Sequence, residues 1–230
     1  ACSVLTAATA QNFTNWSCPN VLDHRVIDSQ LASLVSSSMP EPQAIKIGML
    51  GSPHIVTVVA NYVSKMKCFV ILDPLVKSTS GGSLSNNDTI QAIIKYLLPR
   101  IDLLTPNFDE AVQLTGLTAN RLEQLPALAD ALLKLGARRV LIKGGHLNSS
   151  LCHDYYADRT TSYWLTTERH PTSARGTGCA LATAIAVNIA KGLELDDALV
   201  AARSYVSSKI RLATSTETGA VSYTHLTLPT

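Results

Sequence analysis

The sequence predicts an α/β fold, a mostly parallel central sheet covered by helices on both faces. Two observations carry this. Four short, continuously apolar runs (AIKIGML, CFVILDP, IDLLTPN and RRVLIKGG) are spaced along the chain by segments of helical period, and each run exits into proline or glycine. A later segment, GTGCALATAIAVNIAK, is built almost wholly of Ala, Leu, Ile and Val, which predicts a helix buried on all sides.

In chain order, CSVLTAATA is rich in small and β-branched residues and reads as a buried strand that begins at once, so the fold is expected to lack its start. Residues 21–37 place Val21, Val26, Leu31 and Leu34 near helical spacing, closed by Pro40 and Pro42. A strand follows at 44–50, then a helix with Pro53 in its first turn, then the strand of residues 68–74. STSGGSLSNN is loop, NDTIQAIIKYLL helix, and residues 101–107 strand. DEAVQLTG, a helix over 121–135 and RRVLIKGG repeat the rhythm. LCHDYYAD and TSYWLTTE, joined at Asp158 and Arg159, read as a hairpin on or beside the sheet, and helices over 178–191 and 195–210 close the region. One domain spans residues 1–212. Residues 213–230 form a terminal segment, of which AVSYTHLTLPT is as readily a foreign extension as an edge strand.

With 230 residues, 46% of them hydrophobic and 16% charged, the chain buries a sizeable core without metal or disulfide. Its 19 basic and 17 acidic residues leave a formal charge of +2 without charge blocks, and aromatic residues are few. Nucleic-acid and anionic-membrane partners are therefore not expected. Five cysteines without CxxC spacing suit a reducing compartment. No apolar run is long enough for a membrane span, and the N-terminus has no signal-peptide pattern, so a cytoplasmic location is expected.

In an open α/β sheet, ligands gather at the carboxyl ends of the strands. The exits here are residues 46–51, 73–82, 105–110, 143–146 and 174–179, nearly all rich in glycine and polar side chains. Gly176, Thr177 and Gly178 precede the long apolar helix, where backbone N–H groups and the helix dipole favour an anion. Cys179 in that first turn is expected to have a lowered thiol pKa. A flexible loop beside a structural cysteine is the competing reading. The segment lacks the lysine of a Walker loop and is no first βα turn, which excludes a P-loop ATPase and a Rossmann dehydrogenase. Asn107 and Glu110, three residues apart after a strand, either hold Mg²⁺ through water or cap the next helix. Asp73 is a further carboxylate at an exit, and Lys77, Thr79 and Ser80 could meet phosphate oxygens. Lys143 before Gly144 and Gly145 is either a phosphate contact or part of a turn. The six histidines have no zinc-site spacing, and GxSxG is absent.

Together TAQN, KIGMLGS, LDP with KSTSGG, LLTPNFDEAVQLTG, VLIKGGH and GTGC occur in the order and spacing of the phosphomethylpyrimidine kinase family, within the ribokinase-like superfamily. The chain resembles that family over residues 3–212. The resemblance implies a three-layer α/β/α ribokinase-like fold and an ATP- and Mg²⁺-dependent kinase of thiamine biosynthesis. Such an enzyme phosphorylates 4-amino-5-hydroxymethyl-2-methylpyrimidine and then its monophosphate. It further implies that Gln11, Met49 and Val76 contact the pyrimidine. Asp73, Asn107 and Glu110 would serve the metal, and Lys143, Gly144, Gly145, Asn107 and Thr177 the nucleotide. Gly176, Thr177 and Gly178 would form the anion hole, with Cys179 as base. Arg175 stands where the family more often has histidine. Relatives commonly form homodimers. Compared with the family, the chain begins after an N-terminal strand and a glycine-rich segment and lacks the family's closing segment. Pyridoxal kinase, and a non-catalytic form that binds pyrimidine or nucleotide, are the alternatives.

Overall fold

The computed structural model describes residues 1–9, 20–35, 40–76, 86–144, 151–170 and 176–212, with the backbone of two short strands at 214–215 and 221–222. In chain order the elements are β1 (Ala7–Ala8), β2 (Asn20–Val21), α1 (His24–Val35), β3 (Ala44–Ile47), α2 (Pro53–Val63), β4 (Phe69–Leu72) and α3 (Asn87–Ala92). They continue with β5 (Leu103–Leu104), α4 (Phe108–Thr115), α5 (Leu125–Lys134), β6 (Arg139–Ile142), β7 (Leu151–Asp158), β8 (Ser162–Glu168), α6 (Thr177–Ala190), α7 (Leu195–Leu212), β9 (Thr214–Ser215) and β10 (Val221–Ser222).

Strands β3 to β8 form one six-stranded sheet in sequence order. Strands β3, β4, β5 and β6 run parallel, and the β7–β8 hairpin adds antiparallel at the far edge. The continuously apolar runs are explained by burial on both faces. Val70, Leu72, Val140 and Ile142 pack on the side of α2, α4 and α5, while Ile71 and Leu141 between them pack with Leu181, Ile185, Leu199 and Val206 of α6 and α7. The result is the expected three-layer α/β/α arrangement.

Local signals fix several ends. Ser52 caps α2 ahead of Pro53, and Gly116 closes α4 with φ of 69°. The single helix expected at NDTIQAIIKYLL is instead three pieces: α3, a widened π turn (Ile93–Leu97) and a 3₁₀ turn (Leu98–Arg100). Pro99 is the reason, since it has no N–H for the α-helical ladder and the turn before it must rearrange.

Three expectations are corrected. The opening residues are not a core strand: β1 pairs only with β2, apart from the main sheet, and Leu5 is 56% exposed. The run is apolar chiefly through alanine, whose side chain buries too little area to hold a strand in a core. In α1 the inward face begins at Ile27 and continues through Leu31, while Val26 is exposed. Finally, α6 is not buried all round, for Thr183 and Val187 face outward.

No helix among the described residues is long and apolar enough to cross a membrane. Of the terminal segment, the described part is the antiparallel backbone pairing of β9 with β10.

Candidate active site

The carboxyl ends of the four parallel strands bring five chemically active side chains together around Asp73. Directly after β4, its backbone N–H donates to the Ile47 carbonyl of β3, and its side chain is fully buried. Lys143, directly after β6, donates from Nζ to Asp73 Oδ1 at 2.7 Å. Lys46 of β3 approaches from the opposite side, its Nζ 3.7 Å from Oδ2. That Oδ2 is buried and has no hydrogen-bond partner among the described residues.

Glu110 occupies the first turn of α4, 2% exposed. Its Oε2 accepts from the Asn107 backbone N–H at 2.7 Å, while Asn107 Oδ1 accepts from the Glu110 N–H at 2.8 Å. This is a capping box, the alternative left open by the sequence, and it commits the Asn107 carbonyl oxygen to the helix start. Burial pushes the Glu110 carboxyl up to about 7; the Lys143 charge and the Asn107 and Val76 N–H groups oppose this, and Asp73 adds to it. Burial disfavours charge on Lys143, but Asp73 and Glu110 outweigh it and hold the ammonium protonated above its usual range.

Helix α6 begins over this cluster. Gly176 caps it with φ of 77°, a left-handed conformation that suits glycine, and the first helical bond runs from the Ala180 N–H to the Gly176 carbonyl. The N–H groups of Thr177, Gly178 and Cys179 thus precede the helical ladder. A side chain on Gly178 would put its Cβ 3.0 Å from Lys143 Nζ, so the glycine lets the ammonium reach the helix start. Cationic and backbone donors converge there, an arrangement that favours an anion.

The thiol of Cys179 contradicts the sequence expectation. Burial and the neighbouring Asp73 carboxylate push its pKa up, and Lys46 and Lys143 only partly offset them. The helix start alone does not set this thiol, because a buried carboxylate shares its pocket.

Gly144 is held more rigidly than a turn requires. A Cβ there would lie 1.9 Å from the His153 carbonyl oxygen, and its N–H donates to Asp154 Oδ1 at 3.0 Å. Asp154, buried on β7, also meets Arg203 of α7, its Oδ2 3.1 Å from the guanidinium. Of the other predicted contacts, Met49 is half-buried at the β3 exit, its carbonyl accepting from the Thr6 hydroxyl at 2.6 Å. Val76 is 2% exposed and packs in the core, which leaves its side chain little surface for a ligand; its N–H instead serves Glu110. Gln11, Lys77, Thr79, Ser80, Gly145 and Arg175 lie outside the described residues.

Sequence reasoning missed Lys46 as a site residue, although a lone lysine between two isoleucines was the available signal. It also missed Asp154, whose burial depends on a partner 49 positions away in the chain. Among the described residues no three His, Cys, Asp or Glu side chains form a metal cage. The Asp73 oxygen without a hydrogen bond and the nearby Glu110 carboxylate nevertheless fit Mg²⁺, which keeps waters and shares phosphate oxygens rather than needing an all-protein shell.

An α/β/α sheet whose strand ends join lysines, carboxylates and a helix start suited to anions has the chemistry that phosphoryl transfer needs. The phosphomethylpyrimidine kinase family model matches residues 1–224, and the chain belongs to that family. The chain is 33% identical over 219 residues to the hydroxymethylpyrimidine/phosphomethylpyrimidine kinase of Rhizobium meliloti (strain 1021), covering 94% of this chain and 82% of the relative. It is similar to the pyridoxal kinase from Staphylococcus aureus in complex with AMP-PCP and pyridoxal, with a TM-score of 0.84 and 31% identity over 95% of this chain and 80% of that one. It is also similar to the phosphomethylpyrimidine kinase from Clostridium difficile 630, with a TM-score of 0.76 and 29% identity over 91% and 86% of the two chains.

Proposed function

We propose that this protein transfers the γ-phosphoryl group of ATP to 4-amino-5-hydroxymethyl-2-methylpyrimidine, and then to the resulting monophosphate, in the supply of thiamine diphosphate. The observation that carries this reading is the convergence of Lys46, Asp73, Glu110, Lys143 and Cys179 at four parallel strand ends beneath the start of α6.

The two sides follow the family resemblance. Lys143 and the Gly144 turn, directly after β6, face the nucleotide, whose γ-phosphoryl oxygens are stabilised by the Lys143 ammonium and the N–H groups of Thr177 and Gly178. The β3 exit, with Met49 and Lys46, faces the acceptor. Gln11 belongs to the acceptor side by family resemblance. Asp73 and Glu110 would hold Mg²⁺, with Asn107 fixing the Glu110 carboxylate through the capping box; the ion supplies charge neutralisation to the phosphate oxygens.

Cys179 takes the proton of the acceptor hydroxyl. That role requires the thiolate, which burial and the Asp73 charge disfavour and the Lys46 and Lys143 ammonium groups favour. A cytoplasmic setting accompanies this reading.

The test is ATP-dependent turnover with the hydroxymethylpyrimidine and, in parallel, with pyridoxal. The proposal expects higher kcat/KM with the pyrimidine. Preference for pyridoxal would favour the second reading, which the likeness to the pyridoxal-bound kinase supports. Thermal stabilisation by ligand without ADP release would indicate a binding protein.

A further inference from the structure

We propose that Lys46 adapts the site to an acceptor that already carries a phosphate, so that it governs the second phosphorylation more than the first. This rests on the two-step reading above. Lysine on an edge strand often serves only to block edge pairing, in which case its ammonium points to solvent. Here it does not. Alternation along β3 sends Ile45 and Ile47 to the α2 side, with Ala44 and Lys46 on the α6 face. The Lys46 side chain is only 21% exposed, and its ammonium turns inward toward Asp73. Gly48 leaves it that room, for a Cβ there would lie 2.9 Å from Nζ.

The two lysines of the site are not equivalent. Lys143 is 11% exposed and hydrogen-bonded to Asp73 at 2.7 Å, so much of its charge is committed. Lys46 stands 3.7 Å from the other carboxylate oxygen, without a hydrogen bond to it, and lies on β3, the side that the proposed function gives to the acceptor. Of these two lysines it is the more exposed and the less tightly held by Asp73.

The chemistry separates the steps. In each, a bond forms between an acceptor oxygen and the γ-phosphorus of ATP, and the bond from that phosphorus to the β–γ bridging oxygen breaks, its electron pair leaving with ADP. A hydroxyl acceptor must also give up its proton, which Cys179 takes. A phosphate monoester has a second pKa of about 6 and attacks as the dianion, with no proton to lose. It instead brings close to two extra negative charges toward Asp73, Glu110 and the γ-phosphate, and Lys46 is placed to offset them.

The test compares wild type, K46M, K46R and C179A with the hydroxymethylpyrimidine and with its monophosphate, reading products by mass. AMP-PCP-induced thermal stabilisation verifies that each variant is folded. For K46M, the ratio of kcat/KM with the monophosphate to kcat/KM with the alcohol is expected to fall about tenfold, the scale of a lost charge-assisted contact. K46R should restore part of it, and C179A should move the ratio the opposite way. A ratio within about twofold of wild type in K46M would overturn the role. A wild type that phosphorylates the alcohol but never the monophosphate would instead overturn the two-step reading on which the role depends.

Discussion

Lys143 and Asp73, 70 residues apart in the chain, meet at 2.7 Å between the ends of β6 and β4. Neither strand is the other's neighbour, since β5 lies between them, so the pair spans the middle of the sheet. Asp73 is fully buried, and its second oxygen has Lys46 nearby but no hydrogen bond among the described residues, which makes its stability depend on the lysines beside it.

Removing Lys143 therefore strands a buried carboxylate. Lys143→Met is expected to destabilise by about 3–5 kcal/mol. Adding Asp73→Asn should recover a substantial part, so the double variant is more stable than the sum of the singles predicts. Urea denaturation of the four proteins measures this, and additive losses would contradict the pairing.

Gly144→Ala tests packing instead of charge. The new Cβ would fall 1.9 Å from the His153 carbonyl oxygen, backbone that cannot swing away as a side chain can. A loss of about 1–3 kcal/mol or more is expected, read as a fall of a few degrees in Tm. Gly176→Ala meets no neighbour within 4 Å among the described residues and should cost only the strain of its left-handed backbone.

Glu110 gives the protein a pH signature. Its carboxyl is raised from 4.5 to about 7 on folding, so the folded state holds this proton more tightly than the unfolded chain. The resulting stabilisation is complete below about 4.5 and is lost as pH rises through about 7, so this group lowers stability across that window. Glu110→Gln, which keeps an acceptor for the capping box, should flatten that part of the Tm–pH curve. Mg²⁺ with nucleotide should flatten it in wild type by favouring the ionised carboxylate. An unchanged slope in Glu110→Gln would contradict the assignment.

Cys179→Ala is expected to bind AMP-PCP normally and to lose about 10²-fold or more in kcat with the alcohol acceptor, the range of general acid–base catalysis. Isothermal titration and steady-state rates separate the two. Unchanged turnover would exclude Cys179 as the base.

The layers and the strand exits were legible because buried parallel strands leave unbroken apolar runs with polar ends, as in residues 68–74 leading to Asp73. The capping box at Asn107 and Glu110 was also legible, as one of two readings of the same spacing. What stayed hidden depended on distant partners. The rise in the Cys179 pKa comes from burial and Asp73, and a local motif reports only the helix start. Lys46 gained its place from a β3 register that turns it to the α6 face, and the burial of Asp154 depends on Arg203 of α7. The opening segment misled because alanine counts as apolar yet buries little surface.

The most direct measurement is formation of phosphorylated hydroxymethylpyrimidine from ATP by wild type and by Asp73→Asn, with products weighed by mass spectrometry and folding verified by circular dichroism. If the strand-end cluster is the phosphoryl-transfer centre, wild type makes both the mono- and diphosphate and the folded variant is slower by about 10²-fold or more. A folded Asp73→Asn protein with wild-type turnover would place the chemistry elsewhere.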